Sequence, residues 1–259
     1  MLTSFQNPLV KQIRKLHSSK ERHKQELFLL EGTHLLEEAC ATNYPLDSLC
    51  CTLQWQAGHE QLWQLAVEKC DRALVVSEDV MKALATTVQP DGVVATAKRG
   101  HTTELPFSGL QVALETVQDP GNLGTIIRTA AAAGASGLWL SKDSVDLDNP
   151  KVLRASAGQW FRLPMQIGEN LQATVISAKQ AGMQVIATLP SANLTYWQID
   201  WQKPSLILLG NEGAGLSTEL AQMADFNAKI PLQPGVESLN VAITAALLLY
   251  EAQRQKIST

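Results

Sequence analysis

The sequence has little that would mark a secreted, membrane-spanning or metal-dependent protein. Of its 259 residues four are cysteine, Cys40, Cys50, Cys51 and Cys70, all in the first third and none in CxxC spacing. That pattern argues against a disulfide framework and suits small buried hydrophobes in a reduced compartment. No apolar run approaches the ~20 residues of a membrane-spanning helix; the longest, around Val241 to Leu249, is bounded by Asn240 and by Glu251 and Arg254. The N-terminal stretch is basic but has no apolar core followed by a small-residue cleavage site, so a secretory signal is not expected. Its acid-poor, serine-containing composition is compatible with a mitochondrial transit peptide, but the expectation is a soluble, cytoplasmic chain. Positive charge is not in excess either: Lys plus Arg is 21 against 25 for Asp plus Glu, net -4, which argues against coating nucleic acid through bulk charge. Histidines 17, 23, 34, 59 and 101 form no ligand-like pair, so no metal is expected.

With 45% hydrophobic residues the chain has apolar material for one large domain or two ordinary ones. Charge is unevenly spread: residues 1 to 25 hold Lys11, Arg14, Lys15, Lys20, Arg22 and Lys24 against Glu21 alone, a balance of +5. From Asn7 to Ser18 the apolar positions Leu9, Val10, Ile13 and Leu16 repeat at helical spacing. Lys11, Arg14 and Lys15 are left on the other side, as a solvated face or as one that meets RNA. Strands at Leu27 to Leu30, Leu46 to Thr52, Ala73 to Val76 and Gly92 to Ala97 alternate with helices at Thr33 to Cys40, His59 to Cys70 and Glu78 to Ala85. This predicts a small α/β domain over residues 1–99. A polar stretch, about 98–109, reads as a linker. Beyond it, over 109–259, strands at Val112 to Val117, Gly137 to Leu140, Gln184 to Thr188, Ser205 to Leu209 and Asn227 to Ile230 are interleaved with helices. The helices fall at Leu123 to Ala133, Lys151 to Ala157, Leu171 to Ala181 and Leu239 to Gln253. Short apolar strands with helices between them predict a mostly parallel sheet covered on both faces.

Three stretches put Gly, Asn and charged residues just after a predicted strand, where open α/β sheets bind ligands. The first runs Asp119-Pro-Gly-Asn-Leu-Gly-Thr-Ile-Ile-Arg128. Asn122 is a candidate helix cap, and Arg128, set among Ile126, Ile127, Ala130 and Ala131, reads as a guanidinium that wants an anion on a largely buried helix. The second, Leu206-Ile-Leu-Leu-Gly-Asn-Glu-Gly-Ala-Gly-Leu-Ser217, is an apolar strand running into a glycine-rich turn that carries Asn211 and Glu212. It lacks both the Lys-Ser/Thr of a phosphate-binding P-loop and the dinucleotide spacing. The third, Ile230-Pro-Leu-Gln-Pro-Gly-Val-Glu-Ser-Leu-Asn240, is a rigid irregular loop with Ser238 and Asn240 where the last helix starts. Trp139, Trp160, Trp197 and Trp201 sit in apolar or amphipathic settings and are expected in the core.

Together these stretches resemble the SpoU (TrmH-like) family, the RNA 2'-O-ribose methyltransferases of the SPOUT superfamily. The resemblance rests on Asn122-x-Gly124 with Arg128, on Gly210-Asn-Glu-x-x-Gly215, and on Ile230-Pro231 followed by Ser238-Leu-Asn-Val241, in that order. Asn149-Pro-Lys-Val-Leu-Arg-Ala-Ser-Ala-Gly158 is similar to the family's segment after the third strand. Ser4-Phe-Gln-Asn-Pro-Leu-Val-Lys11 and Phe28-Leu-Leu-Glu-Gly32 resemble its RNA-binding domain. The resemblance implies a C-terminal parallel-sheet domain with a trefoil knot, preceded by a small α/β/α RNA-binding domain, and a homodimer formed through the C-terminal domain. It implies S-adenosyl-L-methionine held mainly by backbone groups at Gly210, Ile230 and Leu239, with Leu209, Asn211 and Leu232 nearby. It implies catalysis by Arg128, with Asn122, Glu212, Ser238 and Asn240 orienting it and the ribose, and RNA contacts from Lys11, Arg14 and Lys15. The expected substrate is structured RNA, ribosomal rather than transfer RNA; a tRNA methyltransferase and a non-catalytic RNA-binding or ribosome-assembly protein are the alternatives. An NAD-dependent or nucleotide-hydrolysing enzyme is disfavoured by the missing fingerprints.

Overall fold

The structure, a computed structural model, describes residues 1–100 and 105–257. In chain order the elements are α1 (Pro8–Lys15), α2 (Ser19–Gln25), β1 (Leu27–Glu31), α3 (Thr33–Ala41), β2 (Leu46–Cys51), α4 (Leu53–Gly58), α5 (Glu60–Val67), β3 (Cys70–Val75), α6 (Glu78–Leu84) and β4 (Val93–Lys98). They continue with β5 (Leu110–Leu114), α7 (Pro120–Ala132), β6 (Gly137–Ser141), α8 (Pro150–Ala155), β7 (Met165–Gly168), α9 (Leu171–Gln180), β8 (Gln184–Thr188), β9 (Leu194–Thr195), β10 (Ser205–Leu209), α10 (Thr218–Met223), β11 (Phe226–Lys229) and α11 (Val241–Ile257). Contacts divide the chain into two units, Met1–His101 with Asp146–Phe161, and Thr102–Val145 with Arg162–Thr259. The excursion 146–161, which lies in the second half of the sequence, thus belongs to the first unit.

The first unit is built on a mixed sheet in the order β1-β4-β2-β3. Strand β4 runs antiparallel to β1 and β2, and β2 and β3 are parallel. Every residue of β1 is buried, so apolar groups are needed on both faces. Leu9, Val10, Ile13 and Leu16 of the α1 segment pack with Leu27, Leu29, Val80 and Met81 on one side. Phe28 and Leu30 pack with α3 and with Leu153 of α8 on the other. Helix α1 starts where the chain dictates, because Pro8 fits the first turn and the Asn7 side chain accepts from the Leu9 amide at 2.9 Å. Its Lys11, Arg14 and Lys15 are exposed and make no ion pair among the described residues.

A buried ion cluster ties the excursion into this unit. Arg22 is 2% exposed; its Nη2 donates to Asp146 at 2.9 Å, its Nε to Asp148 at 3.2 Å, and its Nη1 to the Leu16 carbonyl at 3.2 Å. Arg99 also pairs with Asp148, and the Ser19 hydroxyl donates to Asp146. Burying a guanidinium is tolerable only with this many acceptors.

The second unit carries the parallel sheet, in the order β7-β6-β5-β10-β8-β11-β9, with every pairing parallel. The central strands β5 and β10 are buried throughout, as strands covered on both faces must be. Leu171, Val175 and Ala178 of α9 and Leu220 of α10 cover one face over Ala113, Val185, Leu206 and Leu208. Helices α7 and α11 pack against each other.

Several expectations need correction. The helix expected over His59 to Cys70 is α5 alone; α4 precedes it, and Cys70 opens β3. The sequence reading missed α2, α4, α10, β7 and β9. Of the expected linker, Lys98 belongs to β4 and Leu105 is buried in the second core, while residues 101–104, including His101, lie outside the described residues. Trp139 and Trp201 are buried and Trp160 is half-buried against the first core, but Trp197 is 56% exposed. Cys40, Cys50 and Cys51 are buried, and burial pushes the thiols of Cys50 and Cys51 up to about 12, which makes them poor nucleophiles.

Candidate active site

Strands β5, β8, β10 and β11 all end on the same edge of the sheet because they are parallel, so the loops that follow them converge. After β5 the chain turns at Thr116, a β-branched residue with φ of 54°. That left-handed conformation is costly for threonine and persists because the surroundings fix it. The Thr116 amide donates to Ser141 Oγ at 2.8 Å, its hydroxyl to Asp143 at 2.8 Å, and its carbonyl accepts from Asn211 Nδ2 at 2.7 Å. Hydrogen bonds from Ser141 and Thr116 hold the Asp143 carboxyl below its ordinary value.

Four residues further on, α7 begins. Its cap is Asp119, whose Oδ1 accepts from the Asn122 amide at 2.9 Å, not Asn122 itself. The Asn122 side chain is thereby free to bridge. Its Nδ2 donates to Glu212 Oε1 at 3.1 Å, and its Oδ1 accepts from Asn240 Nδ2 at 2.9 Å. Glu212 also accepts from the amides of Gln118 at 3.2 Å and Asp119 at 3.1 Å. Partial desolvation pushes the Glu212 carboxyl up, but the bonds from Asn122 and from the Glu212, Asp119 and Gln118 amides outweigh it, leaving the carboxyl below its usual value. Asn240 is at once a bridge and a cap: its Oδ1 accepts from the Ala242 amide at 2.9 Å and the Ile243 amide at 3.4 Å, opening α11. Ser238, the alternative cap, is exposed and makes no hydrogen bond among the described residues.

The glycine-rich turn after β10 is closed on itself. Asn211 and Gly215 exchange backbone hydrogen bonds, each at 3.0 Å, and Asn211 Oδ1 accepts from the Gly213 and Ala214 amides at 2.8 and 2.9 Å. A Cβ on Gly210 would lie 2.1 Å from the backbone of Gly215 and Leu216, so no other residue fits. Glu115 pins the far end of the turn, accepting from the Ser217 amide at 2.7 Å.

The positions expected for a cofactor follow the ends of β10 and β11 and precede α11. Leu209 ends β10, Ile230 and Leu232 follow β11, and Leu239 lies 36% exposed before α11. Between β10 and β11 stands β8, whose last residue, Thr188, has its hydroxyl buried with no hydrogen-bond partner. An orphaned buried hydroxyl flanked by two irregular loops fits a polar ligand seated there. Thr188 was not legible as a site residue, because its sequence signal is only that of a strand end.

Asn122, Glu212 and Asn240 are therefore brought together, and Asn211 joins them through Thr116. Arg128 is not part of this network. The helix around it is buried at Ile126, Ile127 and Ala130, yet Arg128 itself is exposed and no described residue pairs with it. The helix is largely buried as expected, and Arg128 lies on its solvent side.

Comparisons with known proteins agree with this architecture. The model of the SpoU rRNA Methylase family matches residues 109–250, and that of the MRM3-like substrate binding domain matches residues 7–95. The chain is 46% identical over 257 residues to an uncharacterized tRNA/rRNA methyltransferase of Synechocystis sp., covering 98% of this chain and 94% of that one. It is 36% identical over 249 residues to the 23S rRNA (guanosine(2553)-2'-O)-methyltransferase RlmP of Bacillus subtilis, covering 96% and 97%. The crystal structure of an AdoMet-bound rRNA methyltransferase from Sinorhizobium meliloti superimposes with a TM-score of 0.87 at 35% identity, covering 98% of this chain and 97% of that one. With both halves matched and the loops after β5, β10 and β11 joined as described, the chain belongs to the SpoU rRNA methylase family.

Proposed function

We propose that the protein methylates a ribose 2'-hydroxyl of ribosomal RNA with S-adenosylmethionine as donor. The observation that carries this reading is the Glu212–Asn122–Asn240 chain, which links the starts of α7 and α11 to the turn after β10. Relatives of this chain are named as 23S rRNA 2'-O-methyltransferases, and AdoMet is bound in similar structures. The donor supplies a methyl group activated by its sulfonium charge. Its backbone contacts fall to Gly210, Ile230 and Leu239, with Leu209, Asn211 and Leu232 beside them, and the Thr188 hydroxyl is a further candidate.

The protein's own task is to hold the attacking oxygen in line and to help remove its proton. Arg128, exposed and unpaired, is suited to bind the phosphate beside the target ribose with two parallel hydrogen bonds. A guanidinium is a poor base near neutral pH, so any proton acceptance at Arg128 depends on that phosphate contact. Glu212 and Asn122 fix the first turn of α7 and hence the direction in which Arg128 points. Ser238, with no partner of its own, is available to the ribose.

The cationic face of α1, Lys11, Arg14 and Lys15, is assigned to RNA phosphates. The stripe of exposed Ile243 and Tyr250 with half-buried Leu247 between them on α11 is assigned to a homodimer interface, since apolar residues three and four apart form one continuous helix face. The trefoil knot of the superfamily is assigned to the C-terminal parallel-sheet unit. A cytoplasmic location goes with this assignment.

The test is to map 2'-O-methyl groups in total RNA with and without the gene, and to restore the missing one with purified protein, S-adenosylmethionine and unmodified rRNA. Loss and restoration at one rRNA nucleotide is the expected result. Methylation of tRNA alone would move the substrate, and no methyl change in any RNA would overturn the reading.

A further inference from the structure

Val88 is the most exposed large apolar side chain of the described residues, at 94%. A valine on a loose loop would mean little, but this loop is fastened at both ends within the first unit. At its start the Thr86 hydroxyl donates to Glu31 Oε1, the Thr87 amide donates to Glu31 Oε2 at 3.3 Å, and Arg154 Nη1 donates to Thr86 Oγ1 at 2.9 Å. Glu31 is only 6% exposed, and Arg154 pairs with it at 3.2 Å. At the end of the loop Asp91 accepts from the Thr33 amide at 2.7 Å and its hydroxyl at 2.8 Å. Gly92, with φ of 104°, packs where a Cβ would meet Trp55 at 2.9 Å. A buried carboxylate, a salt-bridged arginine and a glycine-only turn thus hold residues 86–91 in one shape, and that shape presents Val88 to water.

The root of this loop adjoins the most basic part of the chain. His17 Nε2 donates to the carbonyl of Leu84 at 2.8 Å, joining the corner between α1 and α2 to the residues just before Thr86. The segment 1 to 25 that forms this corner carries a balance of +5. A single apolar side chain flanked by Thr87 and Gln89 is too small for a protein interface, which needs about 800 Å² per partner. It is the right size to enter between bases, as apolar wedges do at unstacked steps.

We propose that Val88 is a wedge that inserts at an unpaired or bulged nucleotide of the substrate RNA while the α1–α2 corner holds neighbouring phosphates. This rests on the rRNA reading above and adds to it the class of RNA feature that the first unit recognises: a splayed base rather than uninterrupted duplex.

The test uses the full chain with Val88→Asp and the near-isosteric Val88→Thr, binding unmethylated 23S rRNA made by transcription at about 50 and about 200 mM salt. Calorimetric binding of S-adenosylmethionine and the melting temperature are measured on the same samples. The expected result is an affinity loss of about tenfold for Val88→Asp and about threefold for Val88→Thr. In the uncharged Val88→Thr the salt slope stays unchanged, because a wedge releases no counterions, and in both variants S-adenosylmethionine affinity and melting temperature stay unchanged. Wild-type RNA affinity in Val88→Asp overturns the wedge while leaving the methyltransferase reading intact, and so does a loss that appears only with a lowered melting temperature. If Val88→Asp binds RNA normally but no longer associates with ribosomal proteins, the occupant is a protein and the proposal is wrong. Failure of the wild-type protein to bind the rRNA at either salt, with S-adenosylmethionine still bound, removes the rRNA reading and the wedge with it.

Discussion

Two arginines in this chain sit in opposite circumstances. Arg22 is buried among Asp146, Asp148 and the Leu16 carbonyl, with its donors occupied from several sides. Arg128 stands exposed on α7 with no partner among the described residues. The first is arranged to stay where it is, and the second keeps its donors available. Saturated polar groups stabilise a fold, whereas exposed unsatisfied ones next to an ordered network are where a ligand gains most. The same contrast separates two polar constellations of the chain: the ion cluster of the first unit is closed, and the Glu212–Asn122–Asn240 chain of the second ends in groups that face solvent.

The largest effect should come from opening the closed cluster. Asp148→Ala leaves Arg99 without its acid partner and buried Arg22 with Asp146 alone, and is expected to cost about 3 to 5 kcal/mol of stability, read by denaturant unfolding. A loss below about 1 kcal/mol would show the cluster to be solvated in practice. Next is Arg128→Lys, expected to lower kcat/KM for rRNA methylation about a hundredfold while moving stability by less than about 0.5 kcal/mol. Near-normal turnover in that variant would exclude planar, two-bond phosphate binding as the reason for an arginine. Replacing Lys11, Arg14 and Lys15 together with alanine should flatten the plot of log affinity against log salt by about 2.7, roughly 0.9 per phosphate contact. An unchanged slope would take the RNA off this face of α1.

The smallest expected effect is that of Glu212→Gln, about a tenfold loss of activity from a weakened charge-assisted bond to the start of α7. Its pH dependence follows from the lowered Glu212 pKa. A carboxyl whose folded value is depressed contributes its share above the unfolded value of ~4.3 and loses it as pH falls through the folded value. The gap between wild type and Glu212→Gln should therefore stay constant from about pH 5 to 8 and close only in stronger acid. A gap that changes near neutrality would mean that another group titrates in the network.

Much of the fold was legible because buried parallel strands leave a plain mark. Gln184 to Thr188 and Ser205 to Leu209 are runs with no other good use in water, and their bounds agree with the structure. Helix α2, Ser-Lys-Glu-Arg-His-Lys-Gln, is polar throughout and gives no periodic apolar signal, so it was invisible. Within the site, the three separated loops pointed to Asn122, Glu212 and Asn240, and these do meet. What could not be read was which polar side chain caps which helix. Asp119 takes the role open to Asn122, and only that exchange leaves Asn122 available to join two loops. The exposure of Arg128 was equally hidden, because neighbours in sequence on a helix face different directions.

The excursion of residues 146–161 also has a bearing on how the protein is made. Its Asp146, Asp148 and Leu153 complete the ion cluster and the apolar layer beneath β1. As the nascent chain emerges, the first hundred residues therefore wait, with Arg22 uncompensated and Phe28 partly uncovered, until more than half of the polypeptide has been translated. Folding in this molecule cannot proceed strictly from the N-terminal end, one domain at a time. A gene fragment cut between the two halves would divide one hydrophobic core instead of separating two.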